Sequence, residues 1–223
     1  MNQYEAFIFD MDGTLINNMP FHIRSWLALF AEMGITFTEE EFHTRLSGKT
    51  NAETVQEVLG GQVTAEDIAR IAYRKEVQYR AIYGPHLRPV AGLPEFLQRS
   101  RDAGLKTAVA TSAGPDNIAF VLEGLGLMEM FTAVVGAQDV QNGKPHPDIF
   151  LTAARRLQVA PAACLVFEDS HAGIEAARRA GMDTVVIQTA LSDAETAAYP
   201  HVIAAAADYR ALVPRLFAGL NKR

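Results

Sequence analysis

From Pro85 onward the chain alternates short apolar runs with helical segments, and few patterns restrict a fold more. Thr107-Ala108-Val109-Ala110, Ala133-Val134-Val135, Cys164-Leu165-Val166-Phe167 and Thr184-Val185-Val186-Ile187 are each short and apolar throughout, as strands covered on both faces are. Helices are predicted between them over 115–124, 147–157 and 171–180. Pro115 and Pro147 mark starts, and Gly126 and Gly181 follow ends. A short run near Val202-Ile203 and a last helix over about 208–218 finish the chain. Phe7-Ile8-Phe9 is a further strand of the same kind at the other end of the sequence. Such alternation specifies α/β architecture: a doubly wound, Rossmann-like parallel sheet with helices on both faces.

Residues 17–88 break this alternation directly after the first strand. Pro20 suits the first turn of a helix that runs to about Met33 and stops at Gly34, with Ile23, Trp26, Phe30 and Met33 on one face. His22 shares that face, either as a core histidine with a partner or as a group held over whatever the first strand binds. Residues 38–82 read as wholly helical. Thr38 with Glu41 resembles a capping box, as does Thr64 with Asp67 or Glu66. A loop, Leu46 to Asn51, precedes Val55, Val58 and Leu59. Lys75 lies inside the apolar stripe Ile68, Ile71, Ala72, Tyr79, Ile82; it either snorkels outward or points into a polar cavity. The expected organisation is therefore a core of 1–16 with 89–223 and an inserted helical cap domain of 17–88, hinged near 14–18 and 85–92.

Composition narrows the setting. Of 223 residues 49% are hydrophobic, enough for a sizeable core. A formal net charge of −6 argues against a nucleic-acid footprint. Cys164 stands alone in an apolar run and reads as a small buried hydrophobe, which rules out a disulfide framework and suits a reducing cytoplasm. No signal peptide is visible, and no apolar run approaches the ~20 residues of a membrane span. The expectation is a cytoplasmic protein without membrane or nucleic-acid partners.

In open parallel sheets ligands bind outside the carboxyl ends of the strands. The polar groups standing there are Asp10 and Asp12, then Thr111 and Ser112, then Lys144 in Gly143-Lys144-Pro145-His146-Pro147, then Glu168 and Asp169. Asp10-Met11-Asp12-Gly13 alone also fits a surface turn. A calcium loop is excluded, since Phe21 stands where its bidentate glutamate belongs. Together the groups suit phosphoryl transfer. Carboxylates hold a magnesium ion, one of them attacks phosphorus, a second moves protons, and a hydroxyl and a lysine bind the phosphoryl oxygens. Walker-type, G-x-S-x-G and H-E-x-x-H signatures are absent from the sequence.

In combination, Asp10-Met11-Asp12-Gly13-Thr14, the strand ending at Thr111, Gly143-Lys144-Pro145-His146-Pro147-Asp148, and Phe167-Glu168-Asp169-Ser170 with Gly173 resemble the haloacid dehalogenase superfamily, in its β-phosphoglucomutase-like branch. The likeness spans nearly the whole chain and implies the HAD-like fold. It implies Asp10 as nucleophile, Asp12 as general acid/base, Thr111 and Lys144 as phosphate-binding groups, and Mg2+ held by Asp10, the Asp12 carbonyl and Asp169, with Glu168 in or beside the shell. Asp12 argues against dehalogenation, because dehalogenases of the superfamily lack an acid there. His22 falls where the mutases carry a histidine that helps position the acid/base aspartate, and Lys75 where they carry a cap lysine facing the active site. Asn51 stands where a mutase has an arginine that grips a second phosphate, and a neutral amide does not replace a bidentate guanidinium; Lys49 is close by.

The expectation is therefore a magnesium-dependent phosphatase acting on a small phosphorylated metabolite, a sugar phosphate by preference, as a monomer or weak dimer. Ser112 joins the phosphate site, and His22, Arg45, Lys49, Asn51 and Lys75 select the substrate. The alternatives are a β-phosphoglucomutase and a non-catalytic phosphometabolite-binding or regulatory protein. Inorganic pyrophosphate stays open as a substrate.

Overall fold

The computed structural model describes residues 4–46, 49–60 and 63–217. In chain order the elements are β1 (Ala6–Phe9), α1 (Met19–Glu32), α2 (Glu39–Arg45), α3 (Asn51–Leu59), α4 (Ala65–Tyr83), α5 (Leu93–Asp102), β2 (Lys106–Ala110), α6 (Pro115–Gly124), β3 (Ala133–Val135), α7 (Asp148–Leu157), β4 (Cys164–Glu168), α8 (His171–Arg179), β5 (Asp183–Ile187), α9 (Asp193–Thr196), β6 (Val202–Ala206) and α10 (Tyr209–Phe217). They fall into two compact units, Met1–Asn17 with Arg88–Arg223, and Asn18–Leu87.

The first unit is built on a six-stranded sheet of order β3-β2-β1-β4-β5-β6, parallel throughout. β1 is central. Phe9 lies level with Val109 of β2 and Phe167 of β4. Alternation along β1 sends its residues to two different layers. Ala6 and Ile8 join Ala108, Val166, Phe150 and Ala176 in the core under α7 and α8. Phe7 and Phe9 enter an aromatic layer formed with Phe96 of α5, Phe167, and Tyr209 and Phe217 of α10. Phe9 stacks on Phe167 at 4.5 Å, and Phe96 meets both Tyr209 and Phe217 at 5.1 Å. Large aromatics on one face and small aliphatics on the other let helices cover both sides of one sheet.

Two elements differ from expectation. The Pro89–Pro94 stretch reads as a turn-rich junction, yet α5 begins at Leu93, directly after Gly92 at φ 82°, with Pro94 in its first turn. Its buried stripe is Leu93, Phe96, Leu97 and Ser100. Asn51, expected in a loop, opens α3, because Thr50 and Glu53 form a capping box. Ser47 and Gly48 of that predicted loop, and the end of the predicted last helix at residue 218, lie outside the described residues.

The second unit is helical. Ile23, Trp26, Leu29 and Phe30 of α1 pack with Phe42, Leu46, Val55 and Ile71. Thr38–Glu41 and Thr64–Asp67 are both capping boxes. Each satisfies two backbone donors that the helix end leaves open.

Candidate active site

The register brings the strand-end acids together. Asp10 follows β1 and donates its backbone N–H to the Phe167 carbonyl at 2.9 Å. Asp10 is thus level with Glu168 on the neighbouring strand, and level residues of paired strands point to the same side. Asp169 is the next residue. The carboxylates of Asp10, Glu168 and Asp169 each offer an oxygen within 4.8 Å of the others, and all three residues are buried. Lys144, in the loop before α7, places Nζ 2.5 Å from Asp10 Oδ1 and 2.5 Å from Glu168 Oε1. It also lies over the Phe150 ring at 5.0 Å.

Two glycines make room for these acids. Gly13, at φ 85°, leaves free the space that the Asp169 carboxylate fills, and Gly173 does the same for Glu168. A Cβ at either position would overlap the carboxylate. Glu168 is fully engaged: Oε1 takes Lys144, while Oε2 accepts the Asp169 and Ser170 N–H groups at 2.8 Å and the Ser170 hydroxyl at 2.9 Å.

Fully ionised, three carboxylates against one ammonium would give this cluster two excess negative charges, a state that burial resists. The titration of the groups reflects that. Burial pushes Asp10 up to about 8, with Lys144 pulling down and the Glu168 and Asp12 charges adding to the rise. Burial, then the charges of Glu168 and Asp10, pushes Asp169 up to about 9. Burial alone would lower Lys144, but Asp10 and Glu168 hold it above its ordinary value. A divalent cation would cancel the excess charge. An all-oxygen donor set suits a hard ion such as magnesium, so the residues fit that group.

The other predicted residues occupy less defined places. Asp12 is half-buried, and its charge is felt at Asp10. It stands outside the close group of three carboxylates, in a turn held by Leu15 N–H to the Met11 carbonyl at 2.8 Å and by a bridge to Ile16. Thr111 is buried beyond β2, and its Oγ1 accepts the Ala113 N–H at 3.1 Å, whereas Ser112 is exposed. In the helical unit Lys75 is 2% exposed. It does not snorkel outward. Its Nζ lies 2.6 Å from His22 Nδ1 and 2.9 Å from Glu76 Oε1. Asn51 Nδ2 donates to the same Glu76 oxygen at 2.8 Å. His22 stacks on Tyr79 at 3.8 Å. Lys49 is exposed and 4.0 Å from Glu57, and Arg45 pairs with Glu57 at 3.2 Å.

Sequence reasoning missed Glu76 and Thr189. Thr189 Oγ1 donates to the Gly13 carbonyl at 2.6 Å and lies 3.5 Å from Asp169 Oδ2. Cys164 is buried as expected, and burial pushes its thiol up to about 11. Among the described residues no helix is long and apolar enough to cross a membrane.

The chain is similar to known proteins along most of its length. The sequence profile of the family described as Haloacid dehalogenase-like hydrolase matches residues 7–187. The fructose-1-phosphate phosphatase YqaB of Escherichia coli is 33% identical over 187 residues, 83% of this chain and 97% of that one. The β-phosphoglucomutase of Bacillus subtilis is 32% identical over 189 residues, 81% of this chain and 82% of that one. The crystal structure of a HAD hydrolase, family IA, variant 3, from Entamoeba histolytica superposes with a TM-score of 0.88 at 26% identity, covering 98% of this chain and all of that one.

Proposed function

The chain belongs to the haloacid dehalogenase-like hydrolases, and we propose that within this family it is a magnesium-dependent phosphatase of small phosphate monoesters, a sugar phosphate by preference. One observation carries the reading: Asp10, Lys144, Glu168 and Asp169 form one buried cluster that, with its carboxylates ionised, is two positive charges short of neutrality. Asp10 and Asp169 would hold the ion together with the Asp12 carbonyl. Glu168 would stand beside them, because both its oxygens are already occupied. When bound, magnesium neutralises phosphate charge and lets an anionic nucleophile approach phosphorus.

Lys144 holds Asp10 Oδ1, so Oδ2 is the oxygen that attacks. The new Oδ2–P bond forms as the P–O bond to the alcohol breaks. The leaving oxygen takes the proton of Asp12, and an aspartyl-phosphate remains on Asp10. Asp12, now ionised, takes a proton from water. The resulting oxygen attacks phosphorus, releasing inorganic phosphate and restoring Asp10. Thr111 and Lys144 bind the phosphoryl oxygens, and Ser112 borders them.

Similarity to both a phosphatase and a mutase leaves a product test to decide between them. A panel of phosphate esters is assayed with and without magnesium for free phosphate and for isomerised product. Magnesium-dependent release of phosphate is expected. Interconversion of glucose phosphates without release would overturn the phosphatase reading in favour of a mutase, and no turnover of any ester would favour a binding protein.

A further inference from the structure

We infer that Thr189 is a positioning residue for the cation site, clamping the nucleophile turn onto Asp169 across the end of an intervening strand. The inference rests on Asp169 being a ligand of magnesium, as proposed above. β1 and β5 are not neighbours, since β4 lies between them. Asp169 sits at the end of β4. Thr189, two residues beyond β5, reaches over that end and donates its hydroxyl proton to the Gly13 carbonyl at 2.6 Å. Both sides of the clamp are stiff. Thr189 N–H is bonded to the Ile187 carbonyl, and Gln188 N–H to the Ala206 carbonyl, each at 2.9 Å. Gly13 N–H is bonded to the Ile16 carbonyl at 2.7 Å.

Asp169 is enclosed between the two. Its Oδ2 fills the space beside Gly13 that a side chain would take, and Thr189 Oγ1 lies 3.5 Å from the same oxygen. A threonine hydroxyl carries one proton, and the short bond to Gly13 commits it. Toward Asp169 the oxygen therefore presents lone pairs. Thr189 does not satisfy the carboxylate; it restricts where the carboxylate goes and leaves its charge to a cation. Outer groups that orient ligands in this way govern metal affinity by roughly 10–100-fold.

The experiment titrates magnesium alone into metal-free protein by calorimetry, with thermal unfolding measured in parallel. Thr189→Val keeps the shape and removes the hydroxyl. It is expected to weaken magnesium binding roughly tenfold or more, while Thr189→Ser restores binding to within about twofold of the parent chain. Thr189→Ala serves as a second hydroxyl-free variant if the valine protein does not fold. A lower unfolding temperature with unchanged magnesium affinity in the folded variants would overturn the inference and leave Thr189 a packing residue. If the parent chain itself binds no magnesium, the cation reading falls first and this inference with it.

Discussion

Glu168 occupies the space in which a side chain of Gly173 would stand. The relationship explains a glycine in the first turn of α8, where alanine is favoured by about 1 kcal/mol on propensity alone. The carboxylate cannot yield easily, because Lys144 holds one oxygen and three donors hold the other.

Gly173→Ala should therefore destabilise the chain in spite of the propensity gain. Overpacking costs typically 1–3 kcal/mol, and displacing Glu168 also strips a partner from Lys144. A net loss of about 2 kcal/mol is expected in urea unfolding. A variant as stable as the parent would show that the carboxylate has another resting place.

The raised titration of Asp10, about 8, and Asp169, about 9, against an ordinary 3.8, fixes a pH dependence. Between those limits the folded metal-free chain holds more protons than the unfolded one. Stability from these groups is full below the ordinary value and is lost as pH rises through 8 and 9. The contribution of these groups to the unfolding temperature in chelator should fall from about pH 4 to about pH 9, and magnesium should restore it most at the alkaline end. A flat profile without magnesium would contradict the charge excess of the cluster.

Asp10→Asn separates stability from activity. The amide oxygen still accepts from Lys144, but one buried negative charge is gone. In chelator near pH 9 the variant should melt above the parent, and its phosphate release should be lower by ~10³-fold or more. Native-rate turnover would remove Asp10 from the role of nucleophile.

Much of this site was legible because its residues obey one simple rule: they are the polar groups that follow apolar strands. Asp10, Glu168 and Asp169 could be named from that rule, and register then placed them side by side. Thr189 obeys the same rule two residues past β5, yet stands outside the four strand-end groups named from the sequence. α5 was hidden by the prolines around it, although Leu93, Phe96, Leu97 and Ser100 have helical spacing. The Lys75–Glu76 pair was not legible in the same way. Adjacent residues on a helix do not ordinarily face one another; here both long side chains turn to meet at 2.9 Å. Asn51 read as a loop amide standing at the place of an arginine, until the Thr50–Glu53 box put it on a helix and within reach of Glu76.

The central position of β1 has a consequence for how the chain is made. Its two sheet partners begin at Lys106 and Cys164. During synthesis the strand carrying Asp10 leaves the ribosome first and waits through the whole helical unit for its first neighbour, and longer for its second. Non-local pairing of this kind is slow and leaves strand edges open to aggregation. The residue proposed as nucleophile therefore rides on the strand whose two edges wait longest for their partners.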